Sequence, residues 1–217
     1  MKPTRTWLIA LSAAALMMLL AWYAHSRLTP PMHGRQSLSP DRIEDWKQYD
    51  GTWVAEQGTF SDLKGGLGDK LVTGDPSMSD YKLDSDLRFD SDRNQKWGDA
   101  GVRLRASNVQ IGTDSYYGYY AGLRLNDQSL VFARIENEYI ELAVAKLPEP
   151  VRIGQWYHLS ITAQGCEFRI VEQSMPSLDA AKIDYTDVGC GFRNGSPGIR
   201  SYGMQSSWRN FEVQSLP

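Results

Sequence analysis

The sequence predicts an all-β domain, a jelly-roll sandwich of two antiparallel sheets, preceded by an N-terminal transmembrane helix. Three observations lead to this prediction. Apolar and polar residues alternate with a period of two over most of the chain, and turn residues separate the alternating segments. Beyond one apolar run at the N-terminus, no long segment has a helical period. Many short strands in one domain of this size are typical of a sandwich.

The N-terminal segment, residues 1–27, is basic and apolar. Lys2 and Arg5 precede an uncharged run of 18 residues that ends at Ala24. As a helix this run would be about 27 Å long, close to the thickness of a hydrocarbon core. A cleaved signal peptide is the alternative, but Trp22 stands where cleavage prefers a small residue. We therefore expect a single-pass membrane protein with a cytoplasmic N-terminus and a periplasmic or extracellular domain.

Residues 28–45 are rich in proline and serine and have few large apolar side chains, which predicts a stalk linker. The jelly-roll domain is then expected over residues 46–217. The chain has 23 Lys and Arg against 26 Asp and Glu, and residues 1–27 hold three of the bases and no acid. The remainder is therefore acidic, which argues against a nucleic-acid partner.

The alternation assigns faces to individual strands. In residues 81–89 the large apolar side chains fall on one face and the charged ones on the other. The next strand places Val102 and Leu104 inward and Arg103 and Arg105 outward. Further strands are predicted at 117–125, 129–136, 139–146, 155–163, 166–172, 198–204 and 208–214, with one helical turn at 178–183.

Six residues form a predicted ligand-binding patch, because five lie on the polar side of neighbouring strands and the sixth lies in the loop before them. They are Arg103, Arg105, Tyr116, Tyr120, Arg124 and Trp97. Tyrosine rings stack on the C–H faces of sugars, and arginine donates hydrogen bonds to hydroxyls or carboxylates. In the alternative interpretation the rings pack under a loop and the arginines pair with Asp84 and Asp86. Both interpretations stay open.

Asp90, Asp92 and Asn94 place three oxygen donors close together, which suggests a structural Ca2+. Arg93 interrupts the acids and Gln95 replaces the glycine of an EF-hand loop, so a solvated turn is the alternative. The three histidines are scattered, and no nucleotide-binding glycine motif occurs. No other cofactor is expected.

Four segments resemble concanavalin A-like, laminin-G-like jelly rolls, and they are especially similar to bacterial domains related to the 3-keto-disaccharide hydrolase family. The four are Gly98-Asp-Ala-Gly-Val-Arg-Leu-Arg105, Asp114-Ser-Tyr-Tyr-Gly-Tyr-Tyr-Ala-Gly-Leu123, Gly154-Gln-Trp-Tyr-His-Leu-Ser-Ile161 and Trp208-Arg-Asn-Phe-Glu-Val213. The resemblance covers residues 46–215 and implies two curved sheets with a concave face that receives carbohydrate in relatives. The family's typical opening, an apolar segment ending in Gly-Trp, is replaced here by residues 45–53. This departure concerns the enzymatic activity that the resemblance implies more than it concerns the fold.

The relatives include family 16 glycoside hydrolases, which carry Glu-x-Asp-x-x-Glu along one strand. The comparable spacing here is Glu136-Asn-Glu138-Tyr-Ile-Glu141. Because Asn137-Glu138 predicts a turn, Glu136 and Glu141 are expected on two strands of a hairpin, and no catalytic residue is predicted.

Cys166 and Cys190 fall where related domains often carry a pair. Together with an extracytoplasmic address, this implies one disulfide, and two reduced buried thiols are the alternative.

These observations predict a membrane-anchored, extracytoplasmic, lectin-like module that binds a glycan or another surface ligand without catalysis. The alternative is a glycoside hydrolase or lyase acting on a glycoside or 3-keto-glycoside. In that case Arg103, Arg105, Tyr120 and Glu136 would bind substrate. A structural spacer without a ligand is a third possibility.

Overall fold

The computed structural model describes residues 35–37 (backbone), 42–91, 97–174 and 180–216. They form fifteen β-strands and one short 3-10 turn, Ile43–Asp45. The strands are β1 Arg35–Ser37, β2 Trp46–Tyr49, β3 Trp53–Glu56, β4 Thr59–Asp62, β5 Leu67–Thr73, β6 Tyr81–Ser91, β7 Asp99–Ser107, β8 Tyr117–Arg124, β9 Ser129–Glu136, β10 Tyr139–Lys146, β11 Trp156–Gln164, β12 Glu167–Glu172, β13 Ala181–Thr186, β14 Ser196–Tyr202 and β15 Gln205–Ser215.

The strands form two antiparallel sheets, which confirms the predicted all-β sandwich. The first sheet has the order β13-β12-β11-β6-β15-β4-β3, with β1 paired to β15, and the second has the order β10-β9-β8-β7-β14-β5-β2. Consecutive strands of each sheet are often distant in sequence; for example, β6 lies between β11 and β15. This crossing of connections is typical of a jelly roll.

The core lies between the two sheets and is built by the predicted alternation. Leu83 and Leu87 of β6 and Trp208 of β15 contribute from the first sheet, and Leu104 of β7 and Tyr119 of β8 contribute from the second. All five are fully buried. Alternate side chains of these strands therefore point into the core, and the side chains between them form the outer face of each sheet.

The helical turn expected at residues 178–183 is wrong for its described part. Ala181–Thr186 is a strand, β13, that pairs with β12. Ala181 and Ile183 are buried, while Lys182 and Asp184 between them are exposed. This period-two pattern requires a strand.

The sheets begin before the predicted domain boundary at residue 46. Arg35–Ser37, within the segment interpreted as stalk, pairs in register with Glu212–Gln214 of β15. The predicted transmembrane helix falls in residues 1–27, outside the described residues, and stays a prediction. In the part of the chain that the structure describes, no helix is long and apolar enough to cross a membrane.

The predicted disulfide is present between Cys166 and Cys190, with a Cα–Cα distance of 5.3 Å. Cys166 precedes β12, and Cys190 lies in the loop after β13. The bond therefore ties together the two ends of the β12–β13 excursion at the edge of the first sheet.

Candidate ligand-binding face

The candidate site is the outer face of the second sheet, the face turned away from the core. Lys70 of β5, Arg103 of β7 and Arg200 of β14 project from it, because their chain neighbours Leu71, Val102 and Ile199 point into the core. β14 pairs with both β5 and β7, so the three cations lie on adjacent strands. All three side chains are buried.

Residues 108–116 connect β7 to β8 and cover this face; we call them the covering loop. Its Tyr116 ring lies over Arg103, with 3.4 Å between the guanidinium carbon and the ring centroid. The Thr113 hydroxyl donates to the Leu67 carbonyl at 3.0 Å. Gly68 lies beneath, and a Cβ at that position would be 2.5 Å from the Thr113 Cα, so the close approach of the loop requires glycine.

The charged groups beneath the covering loop are unequally paired. Arg200 donates to Asp99 from one nitrogen and to Asp114 from another, both at 3.1 Å. The Lys70 ammonium donates to the carbonyls of Gly68, at 3.0 Å, and Gly112. Lys70 is therefore hydrogen-bonded to neutral carbonyl groups, whereas Arg200 is paired with two carboxylates.

Arg103 differs from both. Among the described residues, none of its three guanidinium nitrogens has a hydrogen-bond partner, and the same holds for the hydroxyls of Tyr116 and Tyr120. The π face of Tyr116 is the contact that compensates its charge. Burial, together with the positive charges of Arg103 and Arg200, lowers the pKa of Lys70 to about 8. The face thus has an excess of positive charge.

A cleft with a volume of about 560 Å³ lies beside the covering loop. Its lining residues come from the segment before β2, from β2, from β5 and its following turn, and from β14, β7 and the start of the covering loop. They are Glu44, Asp45, Trp46, Lys47, Tyr49, Val72, Thr73, Gly74, Pro76, Ala106, Ser107, Asn108, Val109 and Ser196. Tyr49 is half-buried, and Lys47 lies over its ring at 4.9 Å.

The cleft is continuous with the row of residues that contains Arg103. Across the strands, Arg103 is opposite Gly198, Gly198 is opposite Val72, and Val72 is opposite Lys47. Gly198 has no side chain, so none separates the guanidinium of Arg103 from the cleft along this row.

Three of the six predicted patch residues lie together on this face: Arg103, Tyr116 and Tyr120. The alternative that these rings pack under a loop describes their position, because all three side chains are fully buried. Its second part, pairing of the arginines with Asp84 and Asp86, is wrong. Both acids belong to β6 of the first sheet, on the opposite side of the sandwich.

Two further patch residues lie at the margins. Trp97 is partly exposed and packs on Tyr202 at 5.6 Å, and the Tyr202 ring is 5.3 Å from the Arg200 guanidinium. Arg124 donates to both oxygens of Asp127 and to Glu141, which satisfies its charge.

The placement of Arg105 in the patch is wrong. A β-bulge between Leu104 and Ser107 breaks the alternation, and Arg105 adopts a φ of 51°. Its guanidinium therefore turns to the end of the sandwich. There it donates to the carbonyls of Ser79, Gly165 and Phe192 and to the carboxylate of Asp80. Arg105 therefore anchors the loops that carry these groups.

Sequence reasoning missed Lys70, Arg200, Asp114 and the cleft residue Tyr49. The signal at Arg200 was available, because it stands between Ile199 and Ser201 in a predicted strand. The signal at Lys70 was hidden, because residues 68–73 are buried on both faces and show no alternation.

The glutamate spacing at residues 136–141 has the arrangement that the sequence predicts. Asn137, with a φ of 57°, forms the turn between β9 and β10, so Glu136 and Glu141 lie on two strands as predicted. Each pairs with an arginine: Glu136 with Arg134 at 3.0 Å and Glu141 with Arg124 at 2.6 Å.

The calcium hypothesis stays a prediction, because Asp92 and Asn94 lie outside the described residues. The carboxylate of Asp90 accepts hydrogen bonds from Arg88 and Ser207. No cluster of three or more His, Cys, Asp or Glu side chains that could hold a metal ion occurs within 42–91, 97–174 and 180–216.

Residues 35–214 match the model of the 3-keto-alpha-glucoside-1,2-lyase-like domain. The chain belongs to this family. The match confirms the resemblance found in the sequence, and it begins at β1, in agreement with the observed start of the sheets. The comparison with curated proteins gave no match.

Solved structures share the architecture. The carbohydrate-binding module CBM66 from Bacillus subtilis is similar with a TM-score of 0.65 and 21% identity, over 79% of this chain and 96% of that one. A Bacillus subtilis protein of unknown function with a galectin-like fold is similar with a TM-score of 0.63 and 11% identity, over 84% of this chain and 98% of that one. The exoplasmic/lumenal domain of VIP36, bound to Ca2+ and Man3GlcNAc, is similar with a TM-score of 0.60 and 11% identity, over 81% of this chain and 85% of that one. These likenesses establish a concanavalin A-like sandwich.

Proposed function

We propose that this protein is a non-catalytic carbohydrate-binding module that takes its ligand in the cleft beside the covering loop. The observation that carries the proposal is the cleft itself. It is open, has room for sugar rings, and combines the half-buried ring of Tyr49 with exposed polar side chains of Glu44, Lys47 and Asn108. Sugars bind to such surfaces through ring stacking and hydrogen bonds to hydroxyls.

Three carboxylates of the outer face are paired with arginines, which favours binding over catalysis by these three groups. Asp99 and Asp114 are both engaged by Arg200, and Glu141 is engaged by Arg124. A general acid or base must reach the reacting proton, and these groups are held by cations instead. The names of the CBM66 and VIP36 neighbours, a carbohydrate-binding module and a protein bound to Man3GlcNAc, agree with a glycan ligand.

Binding should depend on Tyr49. We expect a glycan array with the full chain to give a positive class, and Tyr49→Ala to weaken that binding about tenfold, the effect of losing one stacking ring. Trp156→Ala is the matched control, because Trp156 is a partly exposed ring on the outer face of the first sheet. Equal losses in the two variants would contradict the cleft as the site.

A lyase or hydrolase acting on a 3-keto-glycoside is the second candidate, because the family model carries that activity in its description. Asp99 is the group that favours it, since burial raises the pKa of this carboxyl beside the cation of Arg200. Turnover of 3-keto-glycosides by the full chain, abolished in Asp99→Asn, would replace the binding proposal with this one.

We further propose that residues 1–27 anchor the domain at the outer face of a membrane, with the N-terminus in the cytoplasm. The Cys166–Cys190 disulfide supports this address, because disulfides persist in oxidising compartments. Fractionation of cells should recover the protein in the membrane pellet after carbonate washing, and an external protease should digest the domain. Recovery in the soluble fraction would contradict the anchor.

A further inference from the structure

Among the described residues, the buried guanidinium of Arg103 has no ion pair and no hydrogen bond, and the ring of Tyr116 is the contact that compensates its charge. A charge removed from water is costly unless it is paired and hydrogen-bonded. Arg103 has neither, whereas Arg200 beside it has two carboxylates. A buried arginine with its full donor set unused is typical of an anion site, because the guanidinium fork can donate two hydrogen bonds to the oxygens of a carboxylate or a sulfate.

The local charge count points the same way. Beneath the covering loop, the three cations Lys70, Arg103 and Arg200 face the two carboxylates Asp99 and Asp114. The group therefore has one positive charge in excess, which attracts an anion to this face. The unpartnered hydroxyls of Tyr116 and Tyr120 on the same face would add two donors for the oxygens of that anion.

We propose that the ligand is an acidic glycan, whose carboxylate or sulfate binds between Arg103 and Arg200 in place of Asp114 while its neutral sugars occupy the cleft. This inference rests on the proposed function and adds the chemical class of the ligand. The covering loop then acts as an internal competitor, with Asp114 holding the position on Arg200 that the ligand's anion takes.

The contacts of the covering loop suit displacement. Tyr116 and the partly buried Val109 make apolar contacts on this face, and the loop is otherwise held by polar contacts that include Thr113 to Leu67, Lys70 to Gly112, and Asp114 to Arg200. Its large apolar side chain, Ile111, is 72% exposed and does not pack on the sheet. Polar contacts of this kind can be exchanged for contacts to a ligand with little loss of apolar burial.

Glu44 and Asp45, the two acids that line the cleft, favour a ligand that carries its negative charge at one end only. Glu44 and Asp45 precede β2, whose Trp46 is opposite Thr73, whereas Tyr49 at the other end of β2 is opposite Lys70. The two acids therefore lie at the end of the cleft away from Lys70 and Arg200. A polyanion along the whole cleft would be repelled there, so a single acidic sugar at one terminus fits best.

The test compares an acidic oligosaccharide with its neutral twin. We expect the full chain to bind a trisaccharide with one terminal glucuronate at least tenfold more tightly than the same trisaccharide with its carboxyl reduced to an alcohol. A terminally sulfated trisaccharide is the parallel arm, and its affinity relative to the glucuronate identifies which anion is preferred. Calorimetric titration at low salt measures all three dissociation constants.

Two variants should move the preference in opposite directions. Arg103→Met should bring the acidic and neutral affinities to within about twofold of each other. Asp114→Asn should tighten binding of the acidic ligand severalfold, because Arg200 loses its competing partner in the loop. Arg88→Met is the control, since Arg88 also stacks on an aromatic ring, Trp156, but on the first sheet. It should leave both affinities unchanged.

The outcomes separate this inference from the proposed function. Equal, Tyr49-dependent binding of the acidic and neutral trisaccharides would overturn the acidic ligand and leave the glycan-binding cleft standing. Absence of binding to every array glycan would overturn both. If Arg103→Met does not fold, Asp114→Asn decides alone, and an unchanged affinity for the acidic ligand would contradict the inference.

Discussion

The charged side chains of the two outer faces of the sandwich differ in their pairing and in their exposure to solvent. On the first sheet, Asp86 lies at the centre of a partly exposed network and receives hydrogen bonds from His158 at 2.8 Å, Arg209 at 3.2 Å and Asn210 at 2.7 Å. On the second sheet, the covering loop buries three cations, and the guanidinium of Arg103 has no hydrogen bond to any residue that the structure describes.

The two faces differ in how completely their charged groups are paired. On the first sheet, Arg209 also stacks on Trp156 at 4.2 Å, so ring, cations and acids satisfy one another across neighbouring strands. Such a face needs nothing else. The second sheet instead buries three cations against two carboxylates, and a charge buried without an ion pair or hydrogen bond lowers stability.

The largest effect should come from removing Arg200, the best-paired of the three buried cations of the second face. Arg200→Met leaves the buried Asp99 and the half-buried Asp114 without their partner, and we expect a loss of about 3–5 kcal/mol in the free energy of unfolding. Arg103→Met is the matched control, because it removes a cation that has no ion pair, and its change should be about 1 kcal/mol or less. Urea denaturation at pH 7 measures both. Equal losses would show that Arg103 is as well compensated as Arg200.

The same contrast marks what the sequence could and could not predict. Alternation was sufficient to place Arg103 and Tyr120 on one face, because side-chain direction in a strand is a local property. It failed at Arg105, where one bulge residue reverses the direction. It also could not supply the covering loop, whose ion pair joins Asp114 to a residue 86 positions away. The unequal pairing of the cations is therefore a property of tertiary structure.

A smaller effect is expected from the centre of the first face. Burial alone would raise the pKa of Asp86, but the hydrogen bonds from His158, Asn210 and Arg209 outweigh it and lower the pKa. Asp86→Ala should lower the free energy of unfolding by about 1–2 kcal/mol, because several donors lose one acceptor. Asp84→Ala, on the same strand and more exposed, should cost about 0.5 kcal/mol or less. A negligible effect of Asp86→Ala would mean that the first face is as poorly compensated as the second.

The smallest expected effect is a pH dependence at His158. The hydrogen bond to Asp86 raises the pKa of this imidazole above its ordinary 6.5. A raised pKa means that the folded state binds the proton more tightly, so the contribution to stability is complete below pH 6.5 and is lost as pH rises through the folded pKa. The stability difference between the unchanged protein and His158→Gln should therefore be larger at pH 5.5 than at pH 8.

This difference should be only a few tenths of a kcal/mol, because the His158 side chain is 44% exposed and water screens the pair. An NMR titration of the His158 ring protons gives the pKa directly, and in Asp86→Ala it should fall back toward the ordinary value. A pKa unmoved by that substitution would assign the shift to another neighbour, for which Asp84, 3.7 Å from Nε2, is the next acid. In either case the proton is shared between partly exposed partners on the same sheet, whereas the positive charge of Arg103 on the opposite sheet is paired with no acid among the described residues.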